Sequence, residues 1–223
     1  MCIRDRCVGS EITADELVSH LEKGVTVLGG MFDEELVEKI GSKGVKLYDY
    51  YKSESLLALN SVSTSEGILY ELIGNSDINI HGSKTVVTGY GKAASAIAER
   101  LLALGAQVTV AARSESDRTR AETDGCKAVE LCSVDSVAEG TDFVINTVPA
   151  RVLGDSFISK LKKGCLMLEI ASAPYGIDFE SARKHGVRVM KLPSLPGRIS
   201  PKSAGEAIAE TLLCTVKGEV STK

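Results

Sequence analysis

The chain is predicted to be an α/β protein: a doubly wound parallel Rossmann sheet preceded by a partial α/β N-terminal domain. Three observations carry this. Residues 84–94 run an apolar strand straight into Gly89-x-Gly91-x-x-Ala94, and a helical pattern (Ile97, Ala98, Leu101, Leu102) follows at once. Six short aliphatic runs then alternate with helix-like segments, as βαβ crossovers require. The hydrophobic share is 43%, yet aromatic residues make up only 4% and Trp is absent, so the core is aliphatic, as in buried parallel sheets.

Ahead of the glycine turn the pattern is fragmentary. Residues 1–6 (Met-Cys-Ile-Arg-Asp-Arg) have no structural logic and are expected to be a non-native start. Residues 7–59 read as part of an α/β domain. They hold a helix at 13–23 opened by a Thr13/Glu16 capping box, a strand at 25–28, a helix at 33–42 and a strand at 45–48. Residues 60–80 form a linker helix, predicted to start at a Ser63-x-x-Glu66 cap and to end at Gly74-Asn75. The dinucleotide-binding domain occupies 81–200. Its strands are expected at 85–88, 107–112, 127–131, 142–146, 165–170 and 187–191, with helices at 92–104, 114–124, 134–139, 152–161 and 178–185. The simplest strand order is 3-2-1-4-5-6. A last helix, 202–216, lies in the C-terminal segment 201–223.

The strand–glycine–helix order has a chemical reason. The first small residue permits the tight turn, the second lets the backbone approach a pyrophosphate, and the third lets helix and strand pack closely. The phosphates then meet the amides at the helix N-terminus. Cofactor contacts are therefore expected from Gly89, Tyr90, Gly91, Lys92, Ala93 and Ala94. At the end of the second strand an NAD enzyme offers Asp or Glu to the ribose hydroxyls. Here Ala111, Ala112, Arg113 and Ser114 stand in that place. A guanidinium suits a 2′-phosphate, so NADP is favoured over NAD. Arg113 can also be read as a solvated residue opening a helix, and nearby Glu115 leaves the cofactor choice open.

Ligands in such sheets bind beyond the carboxyl ends of the strands. The loop Asn146-Thr147-Val148-Pro149 suits a backbone passing the ribose and nicotinamide, or an ordinary strand-ending turn. Residues 171–176 are small and leave room for a ligand, while residues 192–205 hold three prolines and lead into the last helix. Ser172, Lys202 and Ser203 are expected to face one another near a substrate carboxylate, with Lys202 an electrostatic anchor rather than a base. Arg151 and Arg198 are the other loop cations. No His–carboxylate or Ser–His pair is evident, which points to hydride chemistry performed by a cofactor.

Net charge is −4, so nothing steers the whole surface to nucleic acid or an anionic membrane, and no apolar run approaches the roughly 20 residues of a membrane span. The six cysteines are scattered without C-x-x-C spacing or nearby histidines. They read as reduced thiols of a cytoplasmic protein without a metal site, and no leader for secretion is seen.

Beyond the glycine turn, several motifs resemble the A subunit of bacterial dipicolinate synthases from about Asn60 to Ala209. They are Ser63-Thr64-Ser65-Glu66-Gly67, Ile80-His81-Gly82-Ser83, Ala112-Arg113, Ile145 to Ala150, Ala171-Ser172-x-Pro174-x-Gly176-x-Asp178-Phe179, and Leu195-Pro196-Gly197-x-x-x-Pro201-Lys202-x-Ala204-Gly205. The resemblance implies NADP-linked oxidation of dihydrodipicolinate or hydroxytetrahydrodipicolinate to dipicolinate, the spore dicarboxylate. It also implies that the partner is a flavoprotein-like B subunit and that the location is the cytoplasm of a sporulating mother cell; a homo-oligomer is a further option. Arg151 departs from the aliphatic residue usual there, and the family's first domain is longer, so N-terminal truncation is expected. The alternatives are a reductase of the shikimate or 2-hydroxyacid dehydrogenase type, or a non-catalytic NADP-binding regulatory module.

Overall fold

A computed structural model describes residues 13–217 of the chain. Its residues fall into two compact units, one ending at Leu59 and resuming at Lys202, the other running from Asn60 to Pro201. The expected non-native start lies outside the described residues.

The first unit contains α1 (Ala14–Ser19), β1 (Thr26–Gly29), α2 (Glu34–Ser42), β2 (Lys46–Asp49) and a 3-10 turn at Tyr50–Lys52. The Thr13/Glu16 capping box forms as expected, with both reciprocal bonds present, but α1 stops at Ser19 rather than near residue 23. Asp33 caps α2 by accepting from the Leu36 amide at 2.8 Å. The two strands pair in parallel, Thr26 opposite Lys46, over a small core of Val18, Ile40 and Val45.

Asn60 opens the second unit partway along α3 (Glu54–Asn75), so this helix starts nine residues before the expected Ser63 cap. Ser53 precedes it, and its hydroxyl accepts from the Leu56 amide at 3.4 Å. The Ser and Thr run that suggested a start is helix interior. Thr64 Oγ1 donates to the Asn60 carbonyl and Ser65 Oγ to that of Val62, both at 2.7 Å, so these hydroxyls are satisfied by the preceding turn.

Six parallel strands follow: β3 (Lys84–Thr88), β4 (Gln107–Ala112), β5 (Lys127–Glu130), β6 (Phe143–Asn146), β7 (Leu166–Glu169) and β8 (Arg188–Lys191). Their order, β5-β4-β3-β6-β7-β8, is the expected 3-2-1-4-5-6. Side chains alternate across the sheet with period two. Val87, Phe143, Ile145 and Leu168 join one apolar layer with α3 and α4 (Lys92–Ala103). Val86, Val144 and Met167 join the other, with Phe157, Ile158 and Ala182. Both faces are covered, as a doubly wound sheet requires.

Between β4 and β8 the helical segments are shorter than the periodicity suggested. After α5 (Glu115–Thr123), the segment expected to be helical at 134–139 is a 3-10 stretch, Leu131–Val137. The expected 152–161 helix reduces to α6 (Asp155–Ile158), because the Val152 and Leu153 amides both donate to the Gly176 carbonyl and Leu153 bridges to Ile177. Then come α7 (Phe179–Lys184) and α8 (Leu195–Ile199), a short helix inside the proline-rich loop. Finally α9 (Pro201–Val216) belongs, from Lys202 on, to the first unit.

Candidate dinucleotide site

The two glycines of the turn are held differently. Gly89 has φ +78, and a Cβ there would meet Thr147 Oγ1 at 2.9 Å and Val148 Cγ2 at 3.1 Å. It must be glycine for the backbone and for the close approach of the 146–149 loop. Gly91 is the N-cap of α4 in extended conformation with no side-chain cap, and a Cβ there would meet nothing within 4 Å. The 12-residue helix thus begins at an open space where its first-turn amides are approachable, as a pyrophosphate needs. Ala94 is 1% exposed and packs into the core, fulfilling the third small position. Lys92 is exposed and Ala93 half-buried in the first turn.

Tyr90 turns its side chain into the protein. Its ring is buried, its hydroxyl donates to Asp124 Oδ2 at 2.8 Å, and the Arg120 guanidinium lies 5.0 Å from its centroid. Burial first, and the Asp124 carboxylate second, hold the phenol well above its ordinary pKa. Arg120 also donates to the Tyr90 carbonyl, tying α5 to the glycine turn.

At the end of β4, Ala112 is buried, while Arg113 is exposed. Arg118 Nη1 donates to the Ala112 and Arg113 carbonyls at 3.0 and 2.8 Å. Ser114 caps α5, accepting from the Asp117 amide at 3.1 Å. The Arg113 guanidinium forms no ion pair among the described residues.

Across the switch point between β3 and β6 the loops are knitted together by buried polar groups. Thr147 Oγ1 donates to the Thr88 carbonyl at 2.7 Å, and the fully buried Asn146 amide donates to the Val148 carbonyl at 3.0 Å. Asn146 also donates to Glu169 Oε1 at 2.7 Å. Its side chain is thus engaged inside the protein, which leaves the half-buried Thr147 and Val148 and the exposed Pro149 as this loop's outward surface. Glu169 was not among the residues expected at the site. The signal was a lone carboxylate ending the apolar run Leu-Met-Leu-Glu.

Ser172 is exposed, and its hydroxyl has no partner among the described residues. Lys202 and Ser203 are exposed in the first turn of α9, in the other unit; Lys202 Nζ lies 3.9 Å from Glu206 Oε1. Arg198 is drawn to the buried Glu71 at 3.5 Å, and exposed Arg151 lies 3.9 Å from Asp178. A His–carboxylate pair does exist, contrary to the sequence reading: His185 Nε2 lies 2.9 Å from Asp155 Oδ1. It sits at the C-cap of α7, just before β8 begins, and so toward the amino ends of the strands, whereas the glycine turn lies at the carboxyl end of β3. Among the described residues no group of three or more His, Cys, Asp or Glu is placed to hold a metal ion, and no helix is long and apolar enough to cross a membrane.

Fold and glycine turn together define a Rossmann-type, nicotinamide-dinucleotide-binding domain of the dehydrogenase kind. Residues 65–175 match the family of D-isomer specific 2-hydroxyacid dehydrogenase, NAD binding domain. The chain is similar to dipicolinate synthase A subunits: it is 34% identical to that of Bacillus subtilis over 167 residues, 75% of this chain and 56% of that protein. The crystal structure of that Bacillus subtilis protein superposes with a TM-score of 0.84 at 29% identity, covering 93% of this chain and 70% of that one. The corresponding protein from Bacillus halodurans gives 0.83 at 27%, covering 90% and 69%. The chain therefore spans a little over half the length of its curated Bacillus subtilis relative.

Proposed function

We propose that this chain carries the NADP-dependent oxidation of dihydrodipicolinate, or of its hydrated hydroxytetrahydro precursor, to dipicolinate, in the role of the A subunit of dipicolinate synthase. The observation that carries the reading is the open cradle at Gly91, with Arg113 free of ion pairs among the described residues, in a chain 34% identical to a dipicolinate synthase A subunit. A bound NADP supplies the hydride acceptor. The substrate ring loses a hydride and a proton and becomes an aromatic pyridine; the hydrated form first loses water. Gly89, Gly91 and the first turn of α4 hold the pyrophosphate, Arg113 takes the 2′-phosphate, and residues 146–149 flank the nicotinamide. Ser172, Lys202 and Ser203 are the proposed contacts of the substrate carboxylates. The proposed setting is the mother-cell cytoplasm, and the proposed partner is a flavoprotein-like B subunit.

The family match keeps a second reading in play, oxidation of a small 2-hydroxy acid. Both are tested by following reduced nicotinamide with freshly generated dihydrodipicolinate, or with 2-hydroxy acids, in the presence of NADP or NAD. The assay is run with and without the B subunit. Formation of NADPH that depends on dihydrodipicolinate is the expected result. Turnover of 2-hydroxy acids alone, or none under any condition, would overturn the proposal.

A further inference from the structure

Glu169 ends β7 at 1% exposure, and each of its oxygens accepts two hydrogen bonds. Oε1 takes the Asn146 amide at 2.7 Å and the Ala171 N–H at 3.0 Å. Oε2 takes the N–H groups of Gly176 and Ile177 at 2.9 and 3.0 Å. A carboxylate accepts without donating, so it alone satisfies four converging donors; a carboxamide in either orientation would turn an NH₂ against two of them. Asn146 in turn accepts from Thr88 Oγ1 and, at 3.3 Å, from the Val148 amide. Gly176 is packed so closely that a Cβ there would land on the Asn146 amide. One buried carboxylate thereby fixes the end of β3, the loop after β6 and both ends of the loop after β7. A requirement for burial alone would be met by an apolar residue, as at the other positions of this strand.

We infer that Glu169 is a positioning residue. It acts through Asn146 and the loop amides to hold residues 146–148 and 171–177 in register for the nicotinamide half of the dinucleotide. The inference rests on the proposed placement of that half beside residues 146–149. The adenosine half lies on the glycine turn and on Arg113, none of which Glu169 touches, so the two halves of the cofactor report on it separately.

The test compares Glu169→Gln with the wild-type chain by calorimetric titration of two probes, NADPH and 2′-phospho-ADP-ribose, which lacks the nicotinamide. Circular dichroism at the titration temperature confirms that the variant is folded. We expect NADPH affinity to fall about tenfold or more, since loop displacement of an ångström is costly, while 2′-phospho-ADP-ribose binds as before. Equal loss of both probes, or of neither, would overturn the inference. So would equal affinity of the wild-type chain for the two probes. Should Glu169→Gln fail to fold, Asn146→Ala keeps three of the four donors to Glu169 and is expected to show the same selective loss; equal effects on both probes there would likewise overturn it. A wild-type chain that binds NADPH yet never oxidises dihydrodipicolinate removes the proposed substrate and leaves this comparison intact.

Discussion

Gly89 and Gly91 stand two residues apart and answer to different demands. Gly89 serves the fold, through a positive φ and contact with the 146–149 loop, whereas at Gly91 nothing in the protein fills the space a side chain would take, and that space is the one proposed for the pyrophosphate. Gly91→Val should therefore abolish NADPH binding in a fluorescence titration and leave the urea midpoint within experimental error. Gly89→Val should lower that midpoint, with a backbone cost alone of about 1–2 kcal/mol. Retained NADPH binding by Gly91→Val would remove the pyrophosphate from this turn. In the proposed reading Arg113 sets the cofactor choice, so Arg113→Ala should weaken NADPH by about 1.5–3 kcal/mol, the scale of hydrogen bonds to a charged group, and spare NADH. Equal weakening of both would show a structural role. The small residues of the turn were legible in the sequence because the strand, turn and helix they join are consecutive. Glu169 was not, because its partners lie 23 residues before it and up to 8 after it and meet only once the strands are ordered.

At the scale of elements, strands were more legible than helices. The central strands β3, β4, β6 and β7 are dominated by β-branched and aliphatic residues. The expectation for α7 ran only one residue long at each end, whereas α6 is much shorter than the expected 152–161, and α3 conceals its start because its hydroxyls bond to its own carbonyls. The tie between α6 and α7 is electrostatic: Asp155 Oδ1 receives His185 Nε2 at 2.9 Å, Ser181 Oγ at 2.9 Å and Lys184 Nζ at 3.3 Å. These bonds, His185 foremost, hold the carboxyl down at about 2. A depressed carboxyl pKa stabilises the fold above the unfolded value near 4 and loses that contribution as pH falls toward about 2. Asp155→Asn should thus lower the urea midpoint at pH 6, with the gap to wild type closing between about pH 4 and about pH 2. A gap of constant size down to pH 2 would mean that Asp155 acts by packing, not by charge.

For the whole molecule, the order β5-β4-β3-β6-β7-β8 puts the chain reversal between β3 and β6, and the glycine turn and the 146–149 loop flank that point. This order followed from general rules of crossover handedness, so the switch point was legible as soon as the strands were. What no local pattern showed was that the boundary between residues 59 and 60 falls inside one continuous helix, α3, and not ahead of a separate linker helix. The units differ in how much apolar surface they bury. The buried apolar residues described in the first are Val18, Ile40, Val45, Leu56, Ala204 and Ala207, whereas the second packs two layers against a six-stranded sheet. Stability should be unequal in proportion, giving a small low-temperature transition and a large high-temperature one in scanning calorimetry. All the residues proposed to hold the dinucleotide lie between 89 and 149, inside the second unit. NADP at about 100 times its Kd should then add about 2.7 kcal/mol to the second transition, moving it up by roughly 5–10 °C, while the first stays in place. The Gly91→Val chain should show both transitions and no shift. A single transition that moves as a whole with NADP would show instead that the two units unfold together.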